Sequence, residues 1–341
     1  MSTMTRTGST GGPAPTGTAP AEAGRGRGPR LSGMNWLVWR QHRAAYWTLL
    51  AATAVTVAVM IYQRQQMMAY LDGYGSITGL KAGWEEKFGH QKPLSAASQL
   101  IGFAPVLIGV FVGAPLLAAD LENGTAKLVT TQSASRVRWL GTKLGTTLLL
   151  VAVCTAAVSA AFTWWWSPVK SSSYVLDWSG AAFDSSGPVP VALTLFTVVG
   201  GIAIGMLLRR TLLSMVVTLG FAVVVQVVWA YSRMSLGNVM TLTTDKGVGE
   251  GSSPDVPAGA YAMDEFYRTA SGDLIGWGSC AEATEKARDA CLDKAQVVGW
   301  SVDYIPISQM SSMQWLGASI LLALTAGIAA FVILWGRKRL V

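Results

Sequence analysis

The sequence predicts an all-α membrane protein with six transmembrane helices, both termini cytoplasmic, and a large extracellular loop between helices five and six. Three observations carry this expectation. Six long stretches are apolar and almost free of charge, basic residues crowd the alternate connections between them, and the connection after the fifth stretch is by far the longest.

The apolar stretches run approximately Ala44–Tyr62, Leu100–Ala119, Leu144–Trp166, Val189–Leu208, Leu212–Tyr231 and Trp315–Trp335. Each approaches the roughly 20 residues that a helix needs to cross about 30 Å of hydrocarbon. Lipid leaves a bare backbone unsatisfied, so such stretches must be helical. The chain is 51% hydrophobic and 13% charged, and its aqueous remainder is too fragmented for an independent soluble enzyme domain.

The net charge of +7 is unevenly placed. With the N-terminus inside, the inner segments carry 15 cations against three acids (Glu22, Asp120, Glu122). Arg209-Arg210 and Arg337-Lys338-Arg339 flank spans directly, where the positive-inside bias is strongest. This distribution explains the basic charge without nucleic acid. The first apolar stretch lacks a small-x-small cleavage site and reads as a retained span rather than a signal peptide.

Residues 1–33 are rich in Gly, Pro, Ser, Thr and Ala and are expected to form a disordered cytoplasmic tail. Residues 34–341 then form the transmembrane domain. Between Met34 and Trp47, helical spacing puts Met34, Leu37, Val38, Ala44 and Ala45 on one side, with Trp36, Trp39, Arg40 and Arg43 on the other. That division fits either a short interfacial helix or a cytoplasmic extension of span one.

Three outer connections are expected: Gln63–Gln99, the shorter Ser167–Pro188, and the large Ser232–Gln314, which holds 11 of the 19 acids and a helical stretch near Ala281–Gln296. The last shows no repeat that would mark a separate module. Cys280 and Cys291 both fall in it and form a candidate disulfide. On one straight helix they would lie about 16 Å apart, beyond reach; either the chain turns between them or they are free thiols. Cys154 reads as a packing residue of span three. Trp164, Trp165 and Trp166 read as an outer aromatic belt.

The inner loop Asp120–Lys143 carries its own punctuation. Asn123-Gly124 stops a helix, Thr125 is placed to cap a short helix through about Gln132, and Ser135 to cap the next one. Leu128 and Val129 would project from the short helix toward a cytoplasmic partner. Asn123-Gly124-Thr125 also matches a glycosylation pattern, but an inside loop makes that a coincidence. Arg136, Arg138 and Lys143 serve at least as positive-inside anchors.

Chemical machinery is sparse. No ionisable group lies well inside a stretch, and Gln226 is the one strongly polar side chain at depth, which argues against ion-coupled transport. There is no Gly-Lys dipeptide and so no phosphate-binding loop. His42 and His90 fall on opposite sides and cannot share a metal, and no metal or hydrolase motif is present. Small-residue pairs at Gly109/Gly113, Gly141/Gly145 and Gly201/Gly205 suit close helix packing. Pro105 and Pro115 should kink span two or mark its ends.

From Leu116 through Leu144, with Glu122, Gly124-Thr125 and Ser133–Arg136, the chain resembles permease subunits of type-2 ATP-binding-cassette (ABC) exporters. In that family a Glu-x-Gly-Thr element follows span two and the loop to span three carries the coupling helix. Asn35–Arg43 (NWLVWRQHR) and Tyr304–Trp315 (YIPISQMSSMQW) are similar to actinobacterial members. Two departures stand out. Leu121-Glu122 replaces a common basic-Glu pair, so a basic partner for Glu122 would have to be Lys127, Arg136 or Lys143. Gln314–Gly317 also lacks the acid that some members carry at the start of span six.

The resemblance implies a permease half that couples through Glu122, Gly124, Thr125, Leu128, Val129 and Arg136 to a separate cytoplasmic ABC ATPase. ATP and Mg would bind in that subunit, with no cofactor in this chain. A second permease copy or a similar permease would complete the pathway. The cargo would be an amphiphilic or hydrophobic drug, antibiotic, peptide or lipid moving outward across the plasma membrane. The competing expectation is a non-transporting immunity or sensory protein acting through its outer loop.

Overall fold

A computed structural model describes residues 34–73, 88–124, 135–172, 175–249 and 252–339. Among these, six helices are long and apolar enough to cross a membrane: Asn35–Asp72, Gln91–Glu122, Val137–Val169, Val189–Leu208, Thr211–Leu236 and Ile307–Lys338. They are called spans one to six. Each contains one of the apolar stretches, and most extend beyond it. The proposed tail, residues 1–33, lies outside the described residues.

Span one belongs to a single helix, Met34–Asp72, of 39 residues. No Gly or Pro interrupts it, and at 1.5 Å per residue it is about 58 Å long. Trp36, Trp39, Arg40 and Arg43 therefore extend span one; they do not form a separate interfacial helix. The expected two-sided division is not seen in burial: of its apolar side Leu37 and Ala44 are exposed. Val38 and Tyr46 are buried, while Trp36 is exposed with the Arg40 guanidinium 5.1 Å from its ring centre.

Span two carries a π turn that its own chemistry explains. Pro115 has no N–H to return to the carbonyl one turn earlier, and the helix widens into a π turn over Gly109–Gly113. The Ala114 N–H accordingly reaches back to the Gly109 carbonyl. Both prolines thus sit within a continuous span.

Span four is the hub. Fourteen of its 20 residues are buried, and it packs on spans two, three, five and six. Two of the small-residue pairs face each other there. A Cβ on Gly113 would stand 2.6 Å from the Val198 carbonyl oxygen, and one on Gly201 2.8 Å from that of Gly109. A Cβ on Gly205 would overlap the Ala114 carbonyl. The third pair is different: Gly141 and Gly145 would meet nothing within 4 Å.

Ser167–Pro188 is not a surface connection throughout. Its second half, Trp178–Ser185, folds inward as a π turn and a short helical turn, with Trp178, Ser179, Ala182, Phe183 and Ser185 buried. Irregular backbone is tolerated at such depth when protein surrounds and satisfies it. Gln314, at the start of span six, donates to the carbonyls of Phe183 (2.9 Å) and Ser186 (3.0 Å). Ser185 donates to the Ser98 carbonyl at 2.8 Å. Asp184 accepts the Trp229 indole N–H at 2.6 Å and pairs with Arg233.

The long connection after span five carries a four-stranded antiparallel sheet, which the sequence reading did not anticipate. Strands β1 (Met240–Thr244), β2 (Tyr261–Thr269), β3 (Leu274–Gly276) and β4 (Val297–Ile305) lie in the order β1-β4-β2-β3. The expected helix appears as Glu285–Lys294, capped by Thr284. Cys280 and Cys291 are bridged, their Cα atoms 5.7 Å apart, because a 3₁₀ turn at Trp277–Cys280 ends before that helix begins. The Trp178 indole N–H reaches the Gly259 carbonyl at 2.6 Å, tying the inward segment to this connection. β4 leads almost directly into span six through Pro306.

The three tryptophans ending span three do not form one belt. Trp165 and Trp166 are buried. Trp164 is 46% exposed, with the Arg64 guanidinium 3.9 Å from its ring centre. Consecutive helical residues point about 100° apart, so three in a row cannot share one face.

Candidate functional site

At the end of the bundle opposite the sheet, the ends of spans two and four meet the beginnings of spans one, three and five. The connection between spans two and three leaves from this point, held on both flanks.

Its first flank is Asp120–Gly124. Span two ends at Glu122; Asn123 caps it, and Gly124 follows at φ +70°, the left-handed geometry that favours glycine. The Glu122 carboxylate crosses to span five and accepts the backbone N–H of Thr211 at 2.8 Å. Thr211 opens that helix after Arg210, so the N–H is one of those a helix start leaves without an internal partner. A carboxylate there also complements the positive end of the helix dipole. Glu122 thus bonds to span five; Lys143, one of its three candidate basic partners, pairs instead with Asp120.

Span four ends nearby on Arg209, in left-handed conformation at φ 54°. A two-residue link, Arg209-Arg210, therefore joins spans four and five next to Glu122.

The second flank is Ser135–Lys143. The Ser135 hydroxyl caps the helix of span three by accepting the Arg138 N–H at 3.2 Å. Two turns further on lies a side chain whose role the sequence reading underestimated. Lys143 is fully buried and forms an ion pair with Asp120 of span two. Gln41 of span one donates to the other Asp120 oxygen at 2.6 Å, and the ammonium sits 5.3 Å from the centre of the Trp139 ring. Tyr46 and Thr147 share a 2.7 Å hydrogen bond one turn deeper. A charge pair this far from water persists only when its remaining bonds are satisfied; Gln41 and the Trp139 face meet that need.

The structure thus joins Glu122 to the start of span five and Asp120 to Lys143 near the start of span three. Arg136 begins the span-three helix. Thr125, Leu128 and Val129 lie outside the described residues. Asp120, Lys143, Gln41 and Thr211 were missed as a group. Helical spacing held a signal for one of them: Lys143 falls on the same face as Trp139, Leu140 and Thr147, all buried. Among the described residues no cluster of three or more His, Cys, Asp or Glu could hold a metal.

A family model described as ABC-2 membrane transporter related matches residues 50–233. That range takes in most of span one, spans two to four, nearly all of span five, and both flanks of the site. No curated protein and no solved structure matches the chain.

Proposed function

Because the chain belongs to the ABC-2 membrane transporter related family, we propose that it is the permease half of an exporter driven by a separate ABC ATPase docked at the 123–135 connection. In this reading that end of the bundle is cytoplasmic and the sheet is extracellular. The basic residues at Arg209-Arg210 and Arg337-Lys338 support that orientation.

One observation carries the coupling role. The connection is anchored to four spans at once: two and three through its own ends, five through Glu122 and Thr211, one through Asp120 and Gln41. A push on it from below is shared immediately by elements that would otherwise move separately. Coupling needs such a contiguous element biased by both sites. The ATPase binds ATP and Mg, and this chain supplies the path. A second permease copy, or a similar permease, completes it. The apolar spans, with Ser and Thr as their main polar groups, suit an amphiphilic or hydrophobic cargo such as a drug or antibiotic.

The test is purification of the chain with its ATPase from native membranes, followed by ATP turnover in the assembled complex. Deleting Thr125–Thr131 should abolish the permease-dependent turnover while the six spans remain folded; unchanged turnover would refute the coupling role.

The disulfide-closed sheet favours a second reading, a non-transporting immunity or sensory protein acting through that loop. It requires full activity without any ATPase, and loss of activity on altering the sheet alone.

A further inference from the structure

A cavity of about 980 Å³ opens at the sheet end, between span three, the start of span four and the start of span six. Its volume is at the upper end of the range for small-molecule sites. The described lining is largely apolar, with Lys170 its one charged residue. Ala156 and Ala160 of span three and Trp315 of span six are exposed lining residues. In a bundle of spans, such faces touch hydrocarbon, so a bilayer molecule reaches the cavity without crossing water.

The cavity offers a bound molecule one charged side chain. Lys170 is exposed at the end of span three, and among the described residues no carboxylate stands within ion-pair distance of it. A lysine just past a span end extends its ammonium to headgroup level. Trp164 and Trp315, both partly exposed lining residues, are the ring type that favours the same depth.

We propose that this cavity holds an anionic membrane phospholipid, with an acyl chain along spans three and six and the phosphate at Lys170. A zwitterionic lipid fills the same space but gains less from Lys170, since its headgroup carries its own cation. One lysine near an anionic headgroup corresponds to about a fivefold preference. The site is independent of whether the protein exports anything.

The full-length protein would be reconstituted into vesicles of equal parts phosphatidylglycerol and phosphatidylcholine, extracted in mild detergent, and its retained lipid counted by native mass spectrometry. Wild type should retain phosphatidylglycerol over phosphatidylcholine by about fivefold. Lys170→Glu should remove that preference and Lys170→Arg keep it. Ala160→Trp, which fills the cavity without changing charge, should lower retention of both lipids. Melting temperatures in lipid-free detergent should match across the set, showing that the variants fold. Equal retention of the two lipids by wild type, or retention unaffected by Lys170→Glu, overturns the proposal. So does full retention in Ala160→Trp, which would place the lipid outside the cavity.

Discussion

The carboxylate of Glu122, the last helical residue of span two, accepts the backbone N–H of Thr211, the first helical residue of span five, at 2.8 Å. Two helices distant in sequence are joined by one bond at the root of the connection between spans two and three. Glu122→Ala should leave the melting temperature nearly unchanged, because the residue is exposed, yet lower permease-stimulated ATP turnover by about fivefold or more. Glu122→Gln keeps an acceptor for the N–H and should fall between the two. Turnover assays on the assembled complex, read beside thermal melts, check this.

The Asp120–Lys143 pair should show the opposite profile. Lys143→Met leaves a buried carboxylate without its cation and should cost about 3–5 kcal/mol. Asp120→Leu should be comparably damaging, while the double variant should recover much of the loss, since apolar replacement of both partners of a buried pair is often tolerated. Denaturation in detergent for the four members of the cycle measures the coupling.

A glycine of span two and one of span three make a sharper contrast. Gly113→Ala drives a methyl group against the Val198 carbonyl and should destabilise by about 1–3 kcal/mol. Gly141→Ala meets open space and should be neutral or slightly stabilising, by up to about 1 kcal/mol, through helix propensity. Comparing the two melts is a direct test of which small-residue pairs the bundle uses.

Asp184 supplies a pH dependence. Burial pushes its carboxyl above the ordinary range, outweighing the pull of Arg233 and of the Trp229 N–H. The folded protein therefore holds this proton more tightly than the unfolded chain. The resulting stabilisation is complete below the unfolded value of about 4 and is lost as pH rises through the folded value. Asp184→Asn keeps an oxygen for Trp229 but does not titrate. The wild-type melting temperature minus that of Asp184→Asn should be largest at low pH and decline as pH rises.

The spans were legible because hydrocarbon imposes a length and a composition that few other environments demand. Their ends were less so. Nothing between Met34 and Ala44 stops a helix, so the apparent amphipathic segment continues span one. The inward segment at Trp178–Ser185 was invisible because it is too short to cross and contains Asp184, Ser179, Ser185, a glycine and two alanines, a composition that reads as a turn.

The sheet was hidden for another reason. β2 carries Asp264 and Glu265 side by side, and β4 has a mixed burial pattern, so neither strand alternates cleanly. At the candidate site, the stop at Gly124 and the cap at Ser135 were readable from local backbone chemistry. The Asp120–Lys143 pair was not, because 23 residues separate its members and only the packing of spans two and three brings them together.

The Cys280–Cys291 link also makes the protein's sidedness chemically visible. Cytosolic reductants keep such thiols open, whereas the exterior lets them close. In the proposed orientation, a molecule inserted upside down would retain two alkylatable sulfurs, and a correctly inserted one would retain none in that region. Counting labelled sulfurs before and after reduction therefore separates the two populations, with no antibody or fused reporter needed.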